Sequence, residues 1–190
     1  IMPGSSEANL GDGAPYSEVI YDGSPLDRPL MEYGSGEAWR QAGRGILSEH
    51  MGNSAGDERL VCHRIEVQAS KNDTSFVISS EGLYPDGSLK VVSVTDEDGK
   101  ETLTFTDRHG REILSRQVMK EGGECQYLDT YSVYDGLDHL LAVIPPALSD
   151  RLSIGQSLDP EETERYAYLY LYDSKERVCA RKLPGIGWIR

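Results

Sequence analysis

From residue 59 onward the chain alternates with a period of two. "RLVCHRIEVQA" puts Val61, His63, Ile65 and Val67 on one side and mostly polar residues on the other, the pattern of a half-buried strand. "TSFVIS" is a short β-branched run. In "LYPDGSLKVVSVTDEDGKETLTFTDRHGREILSRQVMK", strand-prone runs of four to seven residues alternate with "PDGS", "DEDG" and "DRHG", which predicts an antiparallel meander punctuated by tight turns. Upstream, "YSEVIYD" alternates as a strand. Pro25 and Pro29 in "GSPLDRPL" remove ladder donors and suit a loop or an edge. "MEYGSGEAWRQAGRGILSEH", with four glycines, reads as a long irregular loop leading into a strand near 45–51.

One helix stands out. In "SLDPEETERYAY", Asp159 is an N-cap, Pro160 sits at the first helical position and glutamates fill the first turn and a half, a combination that satisfies free N–H groups and suits the positive helix end. It should run for about two turns. The strand "YLYLYD" follows, with Tyr168, Tyr170 and Tyr172 on one face and Leu169 and Leu171 on the other, as expected for a strand internal to a sheet. The expected fold is mainly β: an antiparallel β-hairpin meander with at most one or two short helices. It divides into a flexible lead over 1–14, an N-terminal β region with a long irregular loop over 15–80, and a β-hairpin region over 81–190.

The turns repeat one phrase. "TDEDGK" from Thr95, "TDRHGR" from Thr106, "YDGLDH" from Tyr134 and "YDSKER" from Tyr172 each read [Tyr/Thr]-Asp-x-x-x-[Lys/Arg/His]. An aspartate opens a type I turn by accepting backbone N–H groups, and the fourth residue must turn left-handed to return the chain with the sheet's twist. Gly99 and Gly110 suit that position; Asp138 tolerates it, and Glu176 should be strained by about 1 kcal/mol or force another turn. The structural turn residues are therefore Asp96, Gly99, Asp107, Gly110, Asp135 and Asp173. The basic residue closing each turn can face its opening aspartate.

This phrase resembles the YD repeat of RHS-type proteins. The ordered series "YSEVIYDGSPLDRP", "GEAWRQAG", "VTDEDGKETLTFTDRHGREILSR", "TYSVYDGLDHLLAVIPPALSD" and "YLYLYDSKERVCARKLPG" is similar to the region just upstream of, or entering, the YD-repeat array of bacterial RHS repeat proteins, and covers most of residues 16–185. The resemblance implies β-hairpins that spiral into a hollow shell enclosing a C-terminal toxin or presenting an adhesive surface. It also implies a secreted or cell-surface location, and a non-catalytic segment whose partner is the remainder of a larger RHS polypeptide. The opening aspartates lie 11, 28 and 38 residues apart and the last two turns lack glycine, departures that suggest a divergent opening segment rather than the regular shell.

Charge narrows the partners. With 19 basic against 32 acidic residues and a net charge of −13, the chain lacks a phosphate-tracking surface, so nucleic acid is not expected. No apolar run approaches the roughly 18–20 residues of a membrane span, and no membrane insertion is expected. Eleven tyrosines against two phenylalanines give aromatic bulk with polar tips, and Tyr168, Tyr170 and Tyr172 in line form a candidate platform for sugar rings. A carbohydrate-binding module is thus the alternative reading, with a carboxylate-based hydrolase behind it. Exposed edges of an excised fragment would favour self-association. Cys62, Cys125 and Cys179 are odd in number and widely spaced, so no disulfide framework emerges.

The sequence offers no catalytic, cofactor-binding or metal-ligating residue. His109 and His139 fall in turns, where a solvated ring is the default. Cys62 and His63 are neighbours on a strand and face opposite sides. "DEDG" lacks the EF-hand spacing. "VIPPALSD" reads as a strand ended by a rigid extended loop.

Overall fold

The computed structural model describes Ala14, residues 16–69 and residues 76–190. Apart from Ala14, the expected lead over 1–14 lies outside the described residues. The strands are β1 (Glu18–Tyr21), β2 (Pro29–Tyr33), β3 (Ile46–Gly52), β4 (His63–Ala69), β5 (Phe76–Leu83), β6 (Lys90–Thr95), β7 (Glu101–Thr106), β8 (Glu112–Glu121), β9 (Glu124–Tyr134), β10 (Leu140–Ile144), β11 (Tyr168–Tyr172), β12 (Val178–Leu183) and β13 (Gly187–Ile189). Short helical segments are α1 (Glu37–Gln41), α2 (Pro146–Ser149) and α3 (Pro160–Tyr166). The mainly β, antiparallel class expected from the alternation is what the chain adopts. Its backbone forms two compact units, Ile1–His50 with Val92–Thr102, and Met51–Val91 with Leu103–Arg190.

In the first unit β1 runs antiparallel to β2, with Ile20 opposite Met31, and β2 pairs with β3 through Met31 and Leu47. Packing here is thin. Tyr16, Ile20, Tyr21, Leu26, Leu30 and Leu47 stay exposed, and the buried residues described are Ala14, Ser93 and Glu101. Ser93 donates its hydroxyl to Glu101 at 3.0 Å. The stretch expected to be one irregular loop instead holds β2's end and the single turn of α1, started at Gly36 with φ 123° and followed by Gly43 with φ 64°. Glycine punctuation hid that turn. Arg40 of α1 reaches back to Glu18 at 2.8 Å.

The second unit carries the core. β4 and β5 form an antiparallel pair, and β7 through β13 lie side by side in chain order. Period-two patterning explains which side chains enter: Phe76, Ile78 and Ser80 of β5 are buried, as are Leu103 and Phe105 of β7. The apolar ones among them join Tyr131, Val133, Ala142, Ile144 and Leu169 from the sheet, Leu148 of α2 and Leu158 of the α2–α3 connection. The first expected strand run starts at His63, with His63, Ile65 and Val67 half-buried on one side.

Two turn readings are corrected. "PDGS" does not close a hairpin, because β5 pairs with β4 while β6 belongs to another sheet; its aspartate bonds the backbone N–H of Ala55 at 2.6 Å instead. Pro145 and Pro146 do more than end a strand. Pro145 is extended, with φ −74° and ψ 168°, and Pro146 opens α2, where a missing N–H costs nothing. The helix read from "DPEETERY" forms as expected: Asp159 accepts the N–H groups of Glu161 and Glu162 at 2.8 and 3.2 Å.

Two buried cations are anchored by their surroundings. Lys182, 2 % exposed, donates to the carbonyls of Thr163 at 3.1 Å and Ala167 at 3.5 Å at the C-terminal end of α3, where a cation suits the helix dipole. Arg116 on β8 forks onto Asp129 of β9 at 2.7 and 2.6 Å and donates its remaining nitrogen to the carbonyls of Glu58 and Arg59, both at 2.9 Å. The rings of Tyr127 and Phe105 cover the guanidinium at 4.9 and 5.6 Å.

Candidate functional site: a ladder of aspartate-led turns

All four copies of the phrase fold the same way. One carboxylate oxygen of the opening aspartate accepts the N–H two residues on and the N–H four residues on. The distances are 3.0 and 2.8 Å at Asp96, 2.8 and 3.0 Å at Asp107, 2.8 and 2.9 Å at Asp135, and 2.8 and 3.0 Å at Asp173. The backbone closes identically: the aspartate N–H donates to the carbonyl of the closing residue, and the fourth residue's N–H donates to the aspartate carbonyl. That is a type I turn followed by a left-handed residue.

The left-handed position is filled by Gly99 at φ 80°, Gly110 at 83°, Asp138 at 67° and Glu176 at 61°. Glu176 therefore accepts the strain and keeps the common turn. A fifth copy was hidden. In "YDGSPLDR", Asp22 accepts the N–H groups of Ser24 and Arg28 at 2.9 and 3.2 Å, and Asp27 takes φ 43° before the closing Arg28. Two extra residues disguise it.

Three copies stand at one end of the second unit, joining β7 to β8, β9 to β10 and β11 to β12. Within each, the closing residue pairs with the opening aspartate: Arg111 Nε to Asp107 at 2.8 Å, His139 Nδ1 to Asp135 at 2.9 Å, and Arg177 to Asp173 at 2.9 and 2.7 Å. Between turns, Arg111 also reaches Asp138 at 2.8 Å and the carbonyl of Asp135 at 3.3 Å, over the ring of Tyr134. His139 Nε2 lies 4.0 Å from Glu176, and its ring stacks on Tyr172 at 4.4 Å.

Arg111 thus pairs with the acid at the left-handed position of the next turn, and the His139 ring lies near the acid at that position of the turn after it. His139 is not the solvated ring its turn position suggested, because the neighbouring hairpin covers it; His109 is exposed as expected. Burial works against the charge on Asp107 and Asp135, but the hydrogen bonds outweigh it and hold both carboxyls below the ordinary carboxylate range. Hydrogen bonds from Arg177 do the same at Asp173.

The tyrosine line is divided. Tyr168 is 37 % exposed and Tyr170 half-buried, while Tyr172 donates its hydroxyl to the Leu140 carbonyl at 3.1 Å beneath His139. A register shift between Leu171 and Tyr172 accompanies the change. Leu169 on the opposite face is buried.

Several groups with reactive potential elsewhere are committed or covered, while Cys125 and Cys179 are exposed. Burial pushes the Cys62 thiol up to about 12, so it stays protonated and a poor nucleophile. His63 Nδ1 contacts the Ser80 hydroxyl at 2.9 Å, but Ser80 is fully buried and no substrate can meet it. A groove of about 500 Å³ beside α2 is lined by Glu58, Tyr127 and Asp150; Asp129, also on its wall, gives both oxygens to Arg116. Among the described residues, no group of three or more acids, histidines or cysteines is placed to hold a metal ion. All three cysteines are free. The chain matches no protein-family model, and the curated proteins yield no match to it.

Proposed function

We propose that the chain is a non-catalytic structural segment of a large secreted or cell-surface RHS/YD-repeat polypeptide, and that it forms or caps a β-hairpin shell. The observation that carries this reading is the ladder: three hairpins in chain order end in one turn design, and the closing side chains Arg111 and His139 each face the acid of the next turn. A repeated tile with lateral contacts suits wall-building, since every added hairpin finds the same neighbour. The remainder of the parent polypeptide, as shell or toxin cargo, is then the partner.

The test is the full-length reading frame and its product. Further [Tyr/Thr]-Asp-x-x-Gly-Arg units beyond residue 190, and electron micrographs of the whole polypeptide showing this segment in the wall of a hollow particle, are expected. A reading frame without such units, or a whole protein in which the ladder lies inside a compact enzyme domain, contradicts the reading.

A further inference from the structure

The proline pair leaves a strand edge open. β10 meets β9 only from Leu140 opposite Tyr134 to Ile144 opposite Tyr131. Pro145 and Pro146 then turn the chain into α2, since proline supplies no N–H to a ladder. β9 itself runs back to Glu124, paired with β8 in unbroken register from Tyr131.

Along an antiparallel strand, successive residues send their backbone groups to opposite sides. Asp129 marks the outward set, because its carbonyl accepts the Ser149 hydroxyl of α2 at 2.8 Å. Cys125 and Tyr127 share its parity, so their N–H and C=O groups point out of the edge, and among the described residues nothing answers them. The groove of about 500 Å³ beside α2 follows this edge, for residues 125–129 all line it.

Charge decides the occupant. Among the ionised groups on the groove's walls, Arg116 and Asp129 engage each other. That leaves Glu58 and Asp150, both exposed and, among the described residues, in no ion pair. The odd residues of β9 share that face; the reverse face carries Leu128 and, from β8, Met119, 46 % exposed.

We propose that the edge of β9 over residues 124–128 accepts, by strand addition, an extended segment of a partner protein that alternates basic and apolar residues. Five residues of edge extend about 17 Å. Main-chain bonds to Cys125 and Tyr127 supply the hold, and basic side chains facing Glu58 and Asp150 supply the choice. A second copy of this chain is a poor occupant, because its own β9 brings Glu124 and Asp129 to an edge that is already acidic. This inference goes beyond the scaffold reading and does not rest on it.

The probe is the peptide Lys-Val-Lys-Val-Lys-Val-Lys, added to the full chain and followed by amide hydrogen exchange in NMR spectra. Protection should rise roughly tenfold at the amides of Cys125 and Tyr127 and stay unchanged at Gln126 and Leu128, whose parity turns them to β8. The glutamate counterpart, and a lysine peptide N-methylated on its lysine amides, which keeps its charge but cannot add as a strand, should leave all four amides as they were. Glu58→Gln combined with Asp150→Asn should weaken binding of the lysine peptide about fivefold, as for two surface ion pairs lost, with unchanged melting. Equal binding of the N-methylated peptide, protection at none or at all four amides, or indifference to the double substitution overturns the proposal. So does protection of the Cys125 and Tyr127 amides on concentrating the chain alone.

Discussion

Gly99 and Gly110 hold the left-handed position of their turns at φ 80° and 83°, and Asp138 and Glu176 hold it at 67° and 61°. Glycine does so without steric cost, whereas an acid carries about 1 kcal/mol of strain. Gly110 belongs to the first of the three stacked turns and has no earlier copy in its unit to meet. Asp138 and Glu176 each follow a turn whose closing side chain, Arg111 or His139, lies toward them, at 2.8 and 4.0 Å. The comparison teaches that the missing glycines are exchanges: backbone ease is given up where a carboxylate can link one hairpin to the next. At 4.0 Å the exchange is weaker for Glu176.

Removing the shared cation should have the largest effect. Arg111→Ala strips Asp107 and Asp138 of their partner and uncovers Tyr134, and should lower unfolding free energy by about 2 kcal/mol, read from urea denaturation. Acid should follow. Asp107 and Asp135 have folded pKa values below the unfolded one, so their stabilisation is complete above about pH 4 and is lost as pH falls through the lowered folded values. An acid titration followed by circular dichroism should show a steep decline below that point, made shallower by Asp107→Asn.

The backbone itself gives smaller and opposite effects in the two kinds of turn. Gly110→Ala adds a Cβ that meets nothing within 4 Å, so its cost is conformational alone, about 1–2 kcal/mol. Glu176→Gly should raise the melting temperature slightly, gaining up to about 1 kcal/mol as strain is released. A loss there instead would mean that the His139 contact outweighs the strain.

The separate turns were legible in the sequence, because an aspartate four residues before a cation is a local signal and its bonds are local. The ladder was not. Arg111 and Asp138 stand 27 residues apart, and only the placement of β8 and β9 brings them together. Asp22 escaped because two extra residues broke the spacing. The helix at 160–166 was readable from its cap, while α1 lay among glycines and α2 behind a proline pair. Nothing in the alternating pattern singles out Lys182 or Arg116, because the carbonyls and carboxylate that engage them come from other segments.

The lateral link between turns is most directly tested by a double-mutant cycle on Arg111→Gln and Asp138→Asn, measured by urea unfolding. If the turns form a coupled ladder, the two substitutions interact by about 0.5–1 kcal/mol. Additivity within about 0.3 kcal/mol would leave three hairpins that merely stand side by side, and would contradict the account.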